Sequence, residues 1–143
     1  MNAARDVEEK LPAMERFRPT ERLKKRSEFR HTERGGRRVA GRYLVVYGRP
    51  NDRACSRLGI TASRRVGNAI RRNRWKRRIR EVFRRNKESV PAGFDFVVIV
   101  KSKRTDEAPS FAQVRDELCE LFQAATKPKK GPKTNSLRRN NDA

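Results

Sequence analysis

Histidine occurs once, at position 31, and cysteine twice, at positions 55 and 119, in a chain of 143 residues. No CxxC pair and no closely spaced histidines are present, which argues against a zinc site, and the two distant thiols read as reduced and structurally incidental. No run approaches the ~18 apolar residues of a membrane span. The opening MNAARDVEEK has no apolar core of a signal peptide, so the chain is expected in the cytoplasm with no membrane partner. A glycine-rich phosphate loop is missing too, and Glu81 and Asp95 stand apart from other acids, suited to ion pairing. An enzyme working through its own side chains needs a base, a nucleophile or a metal site, and none is in supply. Neither a catalytic residue nor a metal ligand is assigned.

Acid is the scarcest commodity. The 17 Asp and Glu face 38 Lys and Arg, for a formal charge of +21 and a pI near 11.4. Such an imbalance implies a nucleic acid or another anionic surface, and the excess of arginine over lysine favours forked recognition of phosphate.

The charge is concentrated in Ser63–Arg85, SRRVGNAIRRNRWKRRIREVFRR, where eleven cations between Arg64 and Arg85 meet a single acid, Glu81, a local net charge of +10. On a helical wheel Trp75, Ile79, Val82 and Phe83 fall within one arc of about 100° that must be buried. Arg74, Arg77, Arg80, Arg84 and Arg85 take the opposite side, and Lys76 and Arg78 flank the arc. Ile70 falls on the polar side and Arg72 on the apolar side, both in the first turn. Asn68 is placed to cap the helix, and a phosphate at that end would meet free amides together with Arg64 and Arg65. A solvated charged face would mix signs, and this one does not.

Around this segment the pattern predicts one small domain over residues 20–126, with residues 1–19 and 127–143 as disordered extensions, the second of them basic. Ser27 can cap a helix from Glu28 to about Arg34, closed by Gly35-Gly36, whose one large apolar side chain, Phe29, should dock into the core. Strands are predicted at 42–48 and 57–63 as an antiparallel pair, with a weaker one at 37–40. Leu58, Ile60 and Ala62 should point inward, and Gly59, Thr61 and Ser63 outward. Phe94–Val100 is apolar on both faces, as in a strand covered on both sides. Ser110 and Gln113 have capping-box spacing and open a last helix to about Ala125, acidic enough to keep it off a polyanion surface. The result is an α+β, two-layer sandwich of three helices on a four-stranded sheet, in the order αβββαβα. Strand aromatics beside the basic helix offer stacking platforms for unpaired bases, although Tyr47 alone could equally be an ordinary strand aromatic half in the core.

The run Arg71-Arg72-Asn73-Arg74-Trp75-Lys76-Arg77-Arg78-Ile79-Arg80-Glu81, preceded by Ser63-Arg64-Arg65-Val66-Gly67-Asn68-Ala69, resembles the signature of the bacterial ribonuclease P protein component. Arg22-Leu23-Lys24-Lys25 with Phe29 is similar to that family's N-terminal segment, and the likeness spans about residues 22–124. The resemblance implies a left-handed βαβ crossover and a protein that binds a large catalytic RNA. In that family the RNA performs the Mg²⁺-dependent release of the 5′ leader of precursor tRNA, with Mg²⁺ held mainly by RNA, and no obligate protein partner is expected. It also implies RNA contacts at Arg64, Arg65, Asn68, Arg71, Arg72, Asn73, Arg74, Lys76, Arg77 and Arg80, and a leader groove at Phe29, Tyr47 and Ser63. Two positions depart from the family's pattern. Glu33 stands where a second groove aromatic is common, implying a smaller stacking platform, and Arg78 stands where an apolar residue is common, implying a shifted buried edge. The competing reading is a ribosomal-type or general RNA-binding structural protein, against which the RNR run and its Gly-Asn-Ala lead-in discriminate. A membrane-active cationic protein would not bury a globular core, and a protein-only nuclease would need clustered carboxylates.

Overall fold

The computed structural model describes residues 19–101 and 109–127. The expectations for residues 1–18 and 128–143 lie outside the described residues. After a 3-10 turn at Pro19–Glu21 come helix α1 (Arg26–Gly35), strands β1 (Arg37–Ala40), β2 (Leu44–Pro50) and β3 (Arg57–Thr61), helix α2 (Ala69–Arg85), strand β4 (Phe94–Val100) and helix α3 (Phe111–Ala125). This is the expected αβββαβα order.

The four strands form one sheet in the order β1-β2-β4-β3. Strand β4 runs antiparallel to β2 and parallel to β3, so the expected β2–β3 antiparallel pair does not form. The physical reason lies in β4 itself: apolar along both faces, it takes the central position where burial is deepest, and its insertion separates the other two. Because β3 and β4 are parallel neighbours, the chain must cross over between them, and α2 makes that crossover.

Alternation along the strands gives the sheet two unlike faces. Leu44, Val46, Leu58, Phe96, Val98 and Val100 turn toward α2 and α3, whose buried residues Trp75, Ile79, Val82, Phe83, Val114, Leu118, Leu121 and Phe122 complete the main core. The Phe122 ring lies 4.7 Å from Phe96 and 6.1 Å, edge-on, from Phe83. All four residues of the predicted α2 stripe are thus buried, and Arg78 at its edge is half-buried, donating to the carbonyl of Pro109. Arg84 departs from the wheel: it is only 8% exposed and its Nη2 donates to both Glu81 oxygens at 2.7 Å. Val82, Phe83 and Arg84 are buried in succession while Arg85 stays exposed, so burial in the last turn of α2 extends beyond the apolar arc and the wheel loses its meaning there. The Glu117 carboxylate of α3 accepts from the amides of Arg42, Tyr43 and Leu44 at 3.0, 2.9 and 2.8 Å, tying that helix to the turn that begins β2.

Helix α1 covers part of the opposite face. Its N-cap is Lys25 rather than Ser27, because the Glu28 carboxylate folds back to accept from the amides of Lys24 and Lys25, each 2.9 Å away, and starts the helix earlier. Phe29 therefore docks away from the main core, half-buried over Gly59, where an added Cβ would come within 2.6 Å of its ring. Gly59 faces away from the main core, as expected, but is buried there beneath α1. Beside it, Arg57 forks onto Asp95 at 2.8 and 2.6 Å and reaches the other Glu28 oxygen at 2.8 Å. Asn51 donates to the same Asp95 at 2.8 Å. One guanidinium so joins α1, β3 and β4.

Two consequences are measurable. Trp75→Ala should lower the unfolding free energy by about 3–5 kcal/mol in urea melts, as for other buried aromatics truncated to alanine; unchanged melting would place the indole outside the core. The amides of Lys25 and Lys24, and then Arg57, draw the Glu28 carboxyl from its ordinary 4.5 down to about 2. A depressed carboxyl stabilises the fold above its unfolded value and loses that contribution as acid is added. The stability gap between the native chain and Glu28→Gln should therefore be widest above pH 4.5 and close as pH falls toward about 2. A pH-independent gap would show that the charge of Glu28 does not hold the helix.

Candidate nucleic-acid interface

Strand β3 ends at Thr61, and Ser63–Asn68 carries the chain round the edge of the sheet into α2. Arg64–Val66 forms a 3-10 turn that buries Val66 and leaves Ser63, Arg64 and Arg65 exposed. Gly67 follows with φ 148°, a backbone region where a side chain is strained, and a Cβ there would also strike the Arg71 side chain at 2.6 Å. Asn68 then caps α2 as its sequence position implies, accepting from the Arg71 amide at 2.9 Å. These local choices fix where the basic helix begins and which way its cations point.

With the Trp75 stripe held in the core, Asn73, Arg74, Arg77 and Arg80 are exposed, and Arg71, Arg72 and Lys76 are half-buried at the flanks. Arg64, Arg65, Arg74, Lys76 and Arg77 make no ion pair with a described residue, whereas Arg84 and Arg85 share Glu81, the latter at 3.0 Å. Arg84 therefore does not belong to the open cationic face on which the wheel placed it. Arg72 leaves its Nε buried without a hydrogen-bond partner among the described residues.

Phe29 and Tyr47 lie on the other side of the sheet, and Ser63 stands past the end of β3, where the chain rounds the sheet edge. Tyr47 pairs with Val97 and Val97 pairs with Gly59, which sits under Phe29, so the two aromatics share one row across the sheet. The backbones of Tyr47 and of Gly59, beneath the Phe29 ring, are two strand spacings, about 10 Å, apart. Arg38 of β1 extends the row beyond Tyr47. The neighbouring row, Ala40, Val45, Ile99 and Thr61, leads toward Ser63 and the exposed Arg64 and Arg65. The aromatic face and the cationic helix occupy opposite layers, joined only round the β3 edge. Both Phe29 and Tyr47 are half-buried, leaving part of each ring for a ligand, and Glu33, also on α1, is half-buried.

Arg57, Arg38 and Ile70 were not singled out for function by sequence reasoning. Period-2 alternation along 57–61 marks Arg57 as polar-faced, but its partner Asp95 is 38 residues away. Among the described residues no three His, Cys, Asp or Glu gather as metal ligands, and Glu28, Glu81, Asp95 and Glu117 are each committed to arginine or backbone amides. No helix of the described residues is long and apolar enough to cross a membrane.

The model of the family described as Ribonuclease P matches residues 17–126. The ribonuclease P protein component of Thermotoga maritima is 42% identical over 111 residues, covering 76% of this chain and 95% of that protein. That of Clostridioides difficile is 42% identical over 91 residues, covering 63% and 80%. The solved structure of the Thermotoga maritima RNase P protein superposes with a TM-score of 0.67 at 41% identity, covering 73% of this chain and 96% of that one. The Staphylococcus aureus RNase P protein superposes with a TM-score of 0.66 at 34% identity, covering 74% and 95%. Matches of this extent decide against the ribosomal-type alternative, and the chain belongs to the ribonuclease P protein family.

Proposed function

We propose that this chain is the positioning subunit of a ribonucleoprotein that removes the 5′ leader of precursor tRNA in the cytoplasm, with the hydrolytic chemistry carried by the RNA. The observation that carries the reading is the ordered cationic face of α2, whose exposed Arg74 and Arg77 have no ion-pair partner among the described residues and whose underside is locked in the core. Arg71, Arg72, Asn73, Arg74, Lys76, Arg77 and Arg80 bind phosphates of the catalytic RNA, with Arg64, Arg65 and Asn68 at the helix start. Fixing these charges on a folded scaffold lowers the repulsion between RNA segments that must approach one another. The open row bearing Phe29 and Tyr47 takes the unpaired leader by stacking, with Ser63 at its edge. Mg²⁺ belongs to the RNA in this scheme; among the described residues no three His, Cys, Asp or Glu gather to hold it.

Reconstitution with a ribonuclease P RNA and a precursor tRNA at low Mg²⁺ is the direct test: cleavage should be stimulated by the chain, and absence of stimulation would overturn the reading. If about six phosphates are contacted, RNA affinity should fall roughly a thousandfold between about 50 and 200 mM monovalent salt. Replacing Arg74 and Arg77 together by alanine should flatten that salt slope by about two units without changing the melting temperature. Tyr47→Ala should weaken binding of precursor tRNA roughly tenfold relative to mature tRNA, leaving affinity for the catalytic RNA unchanged. Equal losses for both tRNAs would remove the leader from the sheet face.

A further inference from the structure

Ile70 is the one large hydrophobic side chain among the described residues that stands in water, 71% exposed, on a helix whose other outward positions are almost all cationic. It borders an open pocket of about 440 Å³ at the start of α2, within the ~300–1,000 Å³ range of ligand sites. Residues three or four apart line up along a helix, so Ile70, Arg74 and Arg78 form one ridge and Arg71 and Trp75 the next, with the pocket in the groove between them. Asn68, capping the helix, closes its N-terminal end. The Trp75 indole is buried in the core except for 8% of its surface, and Trp75 lines the groove.

The lining combines two chemistries that one ligand class satisfies together. A phosphate alone has no use for Ile70 and an indole edge, and a base-paired duplex hides its bases in the stack. An unpaired nucleotide presents a flat apolar base and a phosphate on either side of it. Three guanidinium groups with no acid among the lining residues complement the polyanion and disfavour an ordinary peptide.

We infer that this pocket receives one unpaired nucleobase of the catalytic RNA, packed between Ile70 and the open edge of Trp75, with its flanking phosphates held by Arg71, Arg74 and Arg78. The inference rests on the RNA-binding role proposed above and adds base contact where that role needs only charge. It also places a second base-binding position in the molecule, on the opposite layer from Phe29 and Tyr47.

Trp75 is the only tryptophan of the chain and lines this pocket, so all tryptophan emission arises beside it. The full chain is titrated with a short single-stranded oligoadenylate and with an abasic oligonucleotide of equal length. The oligoadenylate should quench Trp75, while the abasic polymer binds without quenching. Ile70→Ser should abolish the quenching and weaken oligoadenylate binding about five- to tenfold, leaving abasic binding and thermal stability unchanged, since the side chain is solvent-exposed in the free protein. Tyr47→Ala should retain the quenching, which separates this pocket from the sheet face. Equal responses to the two polymers, quenching that survives Ile70→Ser, or quenching lost in Tyr47→Ala would each overturn the base pocket while leaving salt-sensitive RNA binding intact. Failure of both polymers to bind would sink the RNA-binding role as well.

Discussion

Burial of the Trp75, Ile79, Val82 and Phe83 stripe against Phe96 and Phe122 is the interaction on which the rest of the molecule depends. A segment with a local charge of +10 gains nothing from being helical by itself, because neighbouring cations repel. The apolar underside supplies the favourable free energy that holds those charges in register. Charge that would otherwise be diffuse thereby acquires a shape.

The sheet separates two kinds of surface and the Arg57 cluster keeps one of them in form. On the α2 side the sheet is a floor for the main core. On the α1 side it is only partly covered, and what decides how much stays open is where α1 lies. Glu28, Arg57 and Asp95 settle that by linking the first turn of α1 to β3 and β4, while Arg49 donates to the His31 carbonyl at 2.8 Å near the other end of the helix. Phe29 is thus held over Gly59 by contacts at both ends of a ten-residue helix.

Much of this was legible in the residues because it is local. Element order, the buried stripe of α2, the Asn68 cap and the Ser110–Gln113 capping box at 3.2 and 2.8 Å all follow from spacing within a few positions. Strand pairing was not, since nothing within 42–63 says that residues 94–100 will enter between β2 and β3. Arg84 escaped for a similar reason: a wheel describes an isolated cylinder, and burial in the last turn of α2 extends beyond the apolar arc. Ser27 lost the cap to Lys25 because a carboxylate at Glu28 could reach two amides where a hydroxyl reaches one. In the interface, charge and the Gly67–Asn68 turn were readable, whereas the Tyr47–Val97–Gly59 row and the pocket beside Ile70 exist only once distant strands and helix ridges are assembled.

The central place of β4 bears on how the protein is made. Translation delivers β2, β3 and the whole basic helix before Phe94 leaves the ribosome, and until then β2 has only β1 beside it and β3 has no strand neighbour. During that interval a nascent, strongly cationic segment is tethered amid ribosomal RNA with its hydrophobic underside uncovered. The charges of the basic helix are all in place by residue 85, whereas the core that holds them to one shape closes only after β4 and then α3 have followed.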